Sequence, residues 1–217
     1  METEEIEAAT GRVARRRAKV YSQLLEAAEQ LIDAHGVDGV TVEDITRAAD
    51  IAPRSFYHHF ETKHDILVPL TRTRTKALNR RIDQLQDEID DPAEMMATGM
   101  RHGLREISTD PLCRWFVSHS GLPHQRLYEG LADSGMRDAT RAAEAGRFHI
   151  HNAEAMRIVA SGAFIAVMSA RVDGNLSDQD LDDCVEHILR TFGMDRSDAH
   201  DLAHRPLRTL PPDPVSE

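Results

Sequence analysis

The 217-residue chain contains few cysteines, few aromatic residues and no excess of positive charge. Its two cysteines, Cys113 and Cys184, have neither metal-site nor redox-motif spacing, which predicts small buried side chains in a reducing compartment. No apolar run approaches the roughly 18 residues of a membrane span. The acidic start METEEIE is unlike a signal peptide. These absences predict a cytoplasmic protein without a membrane segment.

The formal net charge of −11 excludes a chain that is basic throughout. Positive charge is concentrated near the N-terminus, in Arg12, Arg15, Arg16, Arg17 and Lys19. This basic segment predicts either a solvated helix start or an arm that lies along nucleic acid. Motifs typical of enzymes, such as a nucleophile elbow, a phosphate loop or paired carboxylates, are not visible, so we expect neither catalysis nor a cofactor.

Two short helical patterns meet across a tight break between Thr41 and Phe60. Thr41 and Asp44 have the spacing of a capping box, which predicts the start of the first helix. Pro53 suits the first position of the second helix, where Phe56 and Phe60 are one turn apart. Two short helices joined by a tight turn predict a helix-turn-helix, whose second helix can enter the major groove of DNA.

The residues predicted to contact DNA share an outward position on or beside the second helix. They are Thr41, Pro53, Arg54, Ser55, Tyr57, His58, His59 and Lys63. Arg54 and Ser55 lie in the first turn and are predicted to read base edges. Tyr57, His58 and Lys63 are predicted to contact phosphates, Lys63 from the N-terminus of the next helix. The alternative is a small helical corner with a solvated aromatic edge.

Several unlike residues recur at fixed offsets over nearly fifty positions. They are Leu24-Leu25-x-Ala27-Ala28-x-x-Leu31, Gly36 followed by Thr41, Ile45-x-x-Ala48-Ala49, Ser55-Phe56-Tyr57-His58-His59-Phe60 and Lys63-x-x-Ile66-Leu67. This pattern resembles the N-terminal signature of the TetR (tetracycline-repressor-like) family. Two positions depart from that signature: Asp50 replaces the usual turn glycine, and Ala52 replaces a small hydroxyl residue at the helix cap. Asp50 tolerates left-handed geometry, whereas Ala52 is a poor cap.

Beyond the motif, only helical patterns can be read, with no strand alternation. A helix is predicted from about Lys63 to Ile89, where Pro69 either introduces a kink or begins a separate helix. Further helices are predicted at about 92–108, 111–120, 123–145, 153–173 and 178–192. The fold class is therefore all-α, with about nine helices. The predicted regions are a disordered N-terminus (1–11), a three-helix helix-turn-helix head (12–62), a helical effector-binding and dimerisation body (63–195) and a flexible tail (196–217).

The resemblance implies a ligand-responsive transcriptional regulator, typically a repressor that binds palindromic operator DNA as a homodimer and is released by a small-molecule effector. Candidate effector contacts are Met96, Met100, Trp115, Phe116, His119 and Phe148. Candidate dimer contacts are Ile158, Gly162, Ala163, Ala166, Cys184 and Ile188. The same residues also fit an ordinary monomer core.

Two alternatives stay open at this point. One is a helical small-molecule-binding or hydrolytic protein that keeps a degenerate DNA-binding head. The other concerns metal: His149-x-His151 could supply two ligands, but no carboxylate or cysteine completes the set. We therefore interpret these histidines as structural and predict no metal site.

Overall fold

The computed structural model describes residues 2–119 and 135–212, and every regular element in those ranges is a helix. The helices are α1 (Glu2–His35), α2 (Val42–Ala48), α3 (Pro53–Phe56), α4 (Lys63–Gln86), α5 (Pro92–Thr109), α6 (Pro111–His119), α7 (135–144), α8 (Ala153–Val172), α9 (Asp178–Thr191) and α10 (Arg196–His204). The all-α prediction is confirmed. The first half of the helix predicted at 123–145 lies outside the described residues.

The chain divides into two compact units, Met1–Thr71 and Arg72–Glu217. In the first, α1 packs on α2 and α2 packs on α3. Leu24, Ile45 and Phe56 are fully buried there, because each lies on the inward face of its helix. Phe60 closes this core by stacking on Tyr21, with ring centroids 5.3 Å apart. The head predicted at 12–62 therefore lies within the first unit.

The predicted helix boundaries follow local capping chemistry. Thr41 and Asp44 form the complete capping box of α2, and Ser177 and Asp180 form that of α9. Asp91 and Asn152 accept hydrogen bonds from the first-turn amides of α5 and α8. Gly36, Gly146, Gly174 and Gly193 adopt positive φ angles in the turns that follow their helices. The capping box predicted at Thr41 and Asp44 is confirmed, and so are the helices predicted at about 92–108, 153–173 and 178–192.

In the second unit, α5 and α9 pack together and α8 covers both. Leu104, Met168, Leu181 and Val185 are completely buried in this core. Around it lie α6, which packs on α5 and α8, and α10, which packs on α9 and α5. Helix packing on several sides explains why the apolar residues of this region are spread around the helices.

The predicted flexible tail is wrong for its first part. Residues 196–204 form α10, whose residues Ala199, Leu202 and Ala203 are buried at helical spacing. Beyond α10, Arg81 Nε donates a hydrogen bond of 2.7 Å to the carbonyl of Pro211. The helical spacing of these apolar residues favours a packed helix before the prolines that end the chain. Residues 213–217 lie outside the description.

Two further expectations differ from the structure. α1 extends back to Glu2, where residues 1–11 were expected to be unstructured; Met1 lies outside the description. By length and composition α8 is apolar enough to cross a membrane, contrary to the expectation that no such run exists. This is weak support for a membrane span, since core helices of soluble proteins pass the same test. Only 6% of the apolar window of α8 is buried within this chain, so α8 differs from a core helix in leaving most of that window uncovered.

Candidate functional site

The turn between α2 and α3 has the geometry that the sequence predicted. Asp50 adopts a left-handed φ of 54°, the only such non-glycine residue in the described chain. Ile51 N–H closes the turn by donating to the carbonyl of Thr46 over 2.9 Å. Ala52 occupies the N-cap of α3 and provides no side-chain hydrogen bond. The start of the candidate recognition helix therefore depends on backbone contacts alone, as expected.

The outward edge of α3 carries polar side chains of different chemistry. Pro53, Arg54 and His58 are exposed, and Tyr57 is 59% exposed beside the buried Phe56. Ser55 and Thr41 are placed differently: Ser55 is half-buried, while Thr41 is exposed with its hydroxyl engaged in the capping box. A guanidinium, a phenol and an imidazole on one accessible edge are groups that can donate to phosphates or base edges.

His59 turns partly toward α1. Its ring lies 5.9 Å from that of Tyr21 and is half-buried. Desolvation lowers the pKa of His59, and the charges of Arg17 and His58 lower it further. A neutral, partly packed imidazole is less suited to phosphate contact than the exposed His58.

Lys63 does not point outward, so the predicted orientation is wrong. Its Nζ donates hydrogen bonds of 3.0 Å to the carbonyl of Val37 and 3.0 Å to that of Val40. Both carbonyls belong to the connection between α1 and α2. The ammonium group therefore ties this connection to the start of α4, a role that sequence spacing alone could not reveal.

The basic segment is part of α1. Arg15, Arg16, Arg17 and Lys19 are all exposed, and the side chain of Arg12 lies outside the description. Four exposed cations within five residues of α1 form a local positive surface on an acidic protein. This surface is compatible with both uses that the sequence left open.

The candidate effector residues separate into packed and accessible groups. Met96, Phe116 and Phe148 are buried, and the Phe148 ring stacks on Phe192 with centroids 4.9 Å apart. Met100 is half-buried. On α6, Trp115 is half-buried and stacks on the exposed His119, with centroids 4.6 Å apart and planes at 10°. Trp115 and His119 are thus the most accessible aromatic pair among the candidates.

Arginines of α5 are committed to an internal ion cluster. Arg101 donates from Nε and Nη2 to the two oxygens of Asp182 at 2.8 and 3.2 Å, and Arg105 donates to the same carboxylate at 2.8 Å. His102 is buried on the same helix, and its pKa is lowered to about 4, chiefly by desolvation and also by the nearby arginine charges. Both arginines hold α5 to α9 through the carboxylate of Asp182.

An open surface depression of about 450 Å³ lies near the C-terminal end of α9. Its lining consists of His187, Arg190, Thr191, Met194, Asp195 and Arg196. None of the predicted effector residues belongs to it.

The candidate dimer residues on α8 form an exposed apolar stripe. Ile158 is 58% exposed, Val159 is 52% exposed, and Gly162 and Ala166 are exposed one and two turns further on. Ala163 is half-buried. On α9, Cys184 is half-buried, whereas Ile188 is 3% exposed and belongs to the core of its own chain. The prediction that Ile188 faces a partner is therefore wrong, because α9 presents that side to the rest of the second unit.

Sequence reasoning missed one cluster. Glu186, His200 and His204 bring three groups with metal-ligand chemistry together on α9 and α10, and His149 and His151 are not part of it. The sequence signal was the spacing of His200 and His204, one helical turn apart.

Two family profiles match the chain. Bacterial regulatory proteins, tetR family, matches residues 24–69. Tetracyclin repressor-like, C-terminal domain, matches residues 91–205, which is more than half of the chain. The chain belongs to the TetR family. The two matched ranges correspond to the head and to most of the second unit of this TetR-family protein, including α10.

Known proteins similar to this TetR-family chain agree with that assignment. An uncharacterized helix-turn-helix-type transcriptional regulator from Mycobacterium tuberculosis strain H37Rv is 24% identical over 106 residues, which are 48% of this chain and 52% of the relative. A second strain, CDC 1551, has a relative with the same values. The chain thus spans about half the length of the curated relatives that it matches.

Solved structures extend the similarity over nearly the whole chain. RolR in complex with resorcinol superposes with a TM-score of 0.82 at 27% identity, covering 91% of this chain and all (100%) of that one. Thermus thermophilus FadR, a TetR-family repressor in complex with lauroyl-CoA, gives a TM-score of 0.63 at 18% identity, covering 89% and 98%. At 18% identity, the second similarity concerns the fold alone.

Proposed function

We propose that this protein is a ligand-responsive transcriptional repressor that binds a palindromic operator as a homodimer in the cytoplasm. The observation that carries the proposal is the match of two TetR-family profiles, at 24–69 and 91–205, to a chain with an exposed polar edge on α3. The proposal assigns no catalytic activity to the chain. In the hydrolytic alternative, the exposed side chains of Arg54, Tyr57 and His58 have no function. In the proposed regulator, they bind DNA.

Within the head, Arg54 is the residue we propose for base readout. It lies exposed in α3, and a guanidinium can donate two parallel hydrogen bonds to guanine. Tyr57 and His58 follow it on the exposed edge, where they would contact the phosphate backbone. Phosphate contacts set the position of the helix, while the arginine supplies the sequence preference.

The test is binding of DNA from the promoter region beside the protein's own coding sequence, followed by fluorescence anisotropy. Arg54→Ala should weaken specific binding by about 1–3 kcal/mol and relax the preference at one base position. Affinity of the wild type should fall linearly with salt on a log–log scale. Arg114→Ala removes an exposed arginine from α6 and is the matched control, which should bind like the wild type. A wild type that binds promoter and random DNA equally would overturn specific operator recognition.

For the effector, we infer a small aromatic compound with hydroxyl groups. Support comes from RolR, whose structure was determined with resorcinol and which shares 27% identity and nearly the whole fold. The accessible Trp115–His119 pair on α6 offers an aromatic face and a hydrogen-bonding nitrogen to such a ring.

Trp115 also makes this inference simple to test, because it is the only tryptophan in the sequence. Resorcinol and related phenols should quench or shift its fluorescence in a saturable manner and release the protein from DNA. His119→Ala should weaken the response, whereas Ser118→Ala, at an exposed neighbouring position, should not. Absence of any saturable response would assign the effector to another chemical class and leave DNA binding unaffected.

A further inference from the structure

α10 follows α9 after a short connection between Thr191 and Arg196, and the two helices pack together. Asp183 and Glu186 lie one turn apart on α9, and His200 and His204 lie one turn apart on α10. The packing of α10 on α9 brings the two pairs together. Glu186 is largely buried at this contact, while His200 is 59% exposed, so the cluster is open to solvent on one side.

Two of the distances within this cluster match those between ligands around one tetrahedral metal ion. His200 Nδ1 lies 2.9 Å from Glu186 Oε2. His204 Nε2 lies 3.4 Å from the same oxygen and 3.3 Å from Asp183 Oδ1. Zinc binds nitrogen and oxygen ligands at about 2.0–2.2 Å, which separates neighbouring tetrahedral ligands by about 3.3–3.6 Å. His204 Nε2 already has that separation from both carboxylate oxygens, and the ligand atoms of Glu186, His200 and His204 all lie within 4.8 Å of one another.

His204 faces both of these carboxylates of α9. Its Nε2 atom is buried and lies 3.3 Å from Asp183 Oδ1 and 3.4 Å from Glu186 Oε2. An imidazole nitrogen and two carboxylate oxygens at such distances have the chemistry to share one cation. The nitrogen is directed at the carboxylates, which is where a cation would sit.

We propose that Glu186, His200 and His204, with Asp183 as fourth ligand, bind one divalent transition-metal ion of the zinc type. Two imidazoles with carboxylates suit zinc, whereas magnesium and calcium prefer sites made only of oxygen. The site shares no residue with the candidate DNA or effector contacts. Because its ligands come from α9 and α10, the bound metal would join these helices and stabilise the second unit.

The binding experiment uses the full chain, freed of metal with a chelator and titrated with zinc(II) at pH 7.5 against a chromogenic competitor. One zinc ion should bind per chain. Zinc at about 100 times the dissociation constant should raise the Tm of the second unit by about 5–10 °C. Cobalt(II) should give the visible absorption of a tetrahedral site with nitrogen and oxygen ligands. Half an ion per chain would place the metal between two copies and overturn a site within one chain.

His200→Asn is the principal variant, because the side chain is largely exposed and its replacement leaves the packing intact. Zinc affinity should fall by at least about 100-fold, beyond the losses typical of outer-shell changes. His187→Asn is the matched control: it changes an exposed histidine of the same helix pair outside the cluster and should bind zinc like the wild type. Equal affinity in His200→Asn and in the wild type would overturn the site.

Glu186→Gln provides a second route to the same decision. The amide keeps the shape of the carboxylate but loses the charge that a cation requires, so its far-UV circular dichroism should stay unchanged while zinc affinity falls. If Glu186→Gln folds and binds zinc as tightly as the wild type, the zinc lies elsewhere among the 12 histidines of the chain and the assignment is wrong. DNA binding is measured separately, so failure of the metal site does not affect the proposed regulator.

Discussion

Lys63 combines a cationic side chain with two backbone carbonyl partners, those of Val37 and Val40. Lys63 is half-buried, so water has little access to the carbonyls that it contacts. If the ammonium donor is removed, these carbonyls stay without a partner, and the loss of stability is larger than at an exposed surface. The same residue placed at a phosphate would contribute to DNA affinity and leave the fold unaffected. These two roles predict different effects of one substitution.

We expect Lys63→Met to lower the free energy of unfolding of the head by about 1–3 kcal/mol, because Met retains the aliphatic stem and removes the donor. Hydrogen exchange of peptides from 36–45 measures this loss, while Trp115 fluorescence reports the second unit, which should be unchanged. Lys76→Met, at an exposed position of α4, is the control. A head of wild-type stability, with a salt dependence of DNA binding flatter by about one unit, would instead identify Lys63 as a phosphate contact.

Among the helices, α4 holds a proline that the sequence left open to two interpretations. The helix is continuous from Lys63 to Gln86, with Pro69 inside it, so Pro69 does not begin a separate helix. Proline lacks the N–H that would bond to the carbonyl of Asp65, which leaves one fewer backbone bond at that turn. The division between the two compact units, after Thr71, falls within the same helix and close to the proline.

We propose that α4 bends at Pro69 when effector binds, and we expect Pro69→Ala to stiffen it there. Operator affinity without effector should change little, but effector-induced release should be weaker, since allosteric coupling is typically about 1–3 kcal/mol. The measurement is operator affinity with and without a ligand identified by Trp115 fluorescence. Lys76→Ala tests for a general effect of changing α4. An unchanged ratio in Pro69→Ala would mean that the proline is structural only.

For the molecule as a whole, the exposed face of α8 is the feature that a single chain leaves unexplained. Ile158, Val159, Gly162 and Ala166 present apolar or small surfaces on one side of a helix. Exposed apolar patches of this kind mark interaction sites, and small residues allow close approach of helix axes. We propose that α8 pairs with its copy in a homodimer, as two-fold interfaces require self-complementary surfaces.

Ile158→Glu should convert the dimer to a monomer at low micromolar concentration, because a buried unpaired carboxylate costs several kcal/mol. Operator affinity should fall by about two orders of magnitude although the head is unchanged, since each head contacts only half of a palindrome. Light scattering after size exclusion measures the mass. Thr140→Glu adds the same charge at an exposed position of α7 and should remain dimeric. A dimer that survives Ile158→Glu would show that the interface lies elsewhere.

The features that the sequence determined by itself are local. The capping box at Thr41 and Asp44, the turn at Asp50 and the glycine after α1 each depend on residues within one or two turns of each other. Helical periodicity also acts over short spans, so the all-α class and the helix-turn-helix could be predicted without any long-range contact. The exposed edge of α3 follows directly from that periodicity.

Only the tertiary structure decided how distant residues are used. Lys63 bonds to carbonyls 23 and 26 positions away, and Arg101 pairs with a carboxylate 81 positions away. The inward side of Ile188 and the burial of Ala199 likewise depend on which helices pack together. Hydrophobic burial has no direction of its own, so an apolar stripe in a sequence does not specify its partner. The partner of each stripe is determined only when the helices pack. The packing of α10 on α9 places His200 and His204 beside the carboxylates of α9.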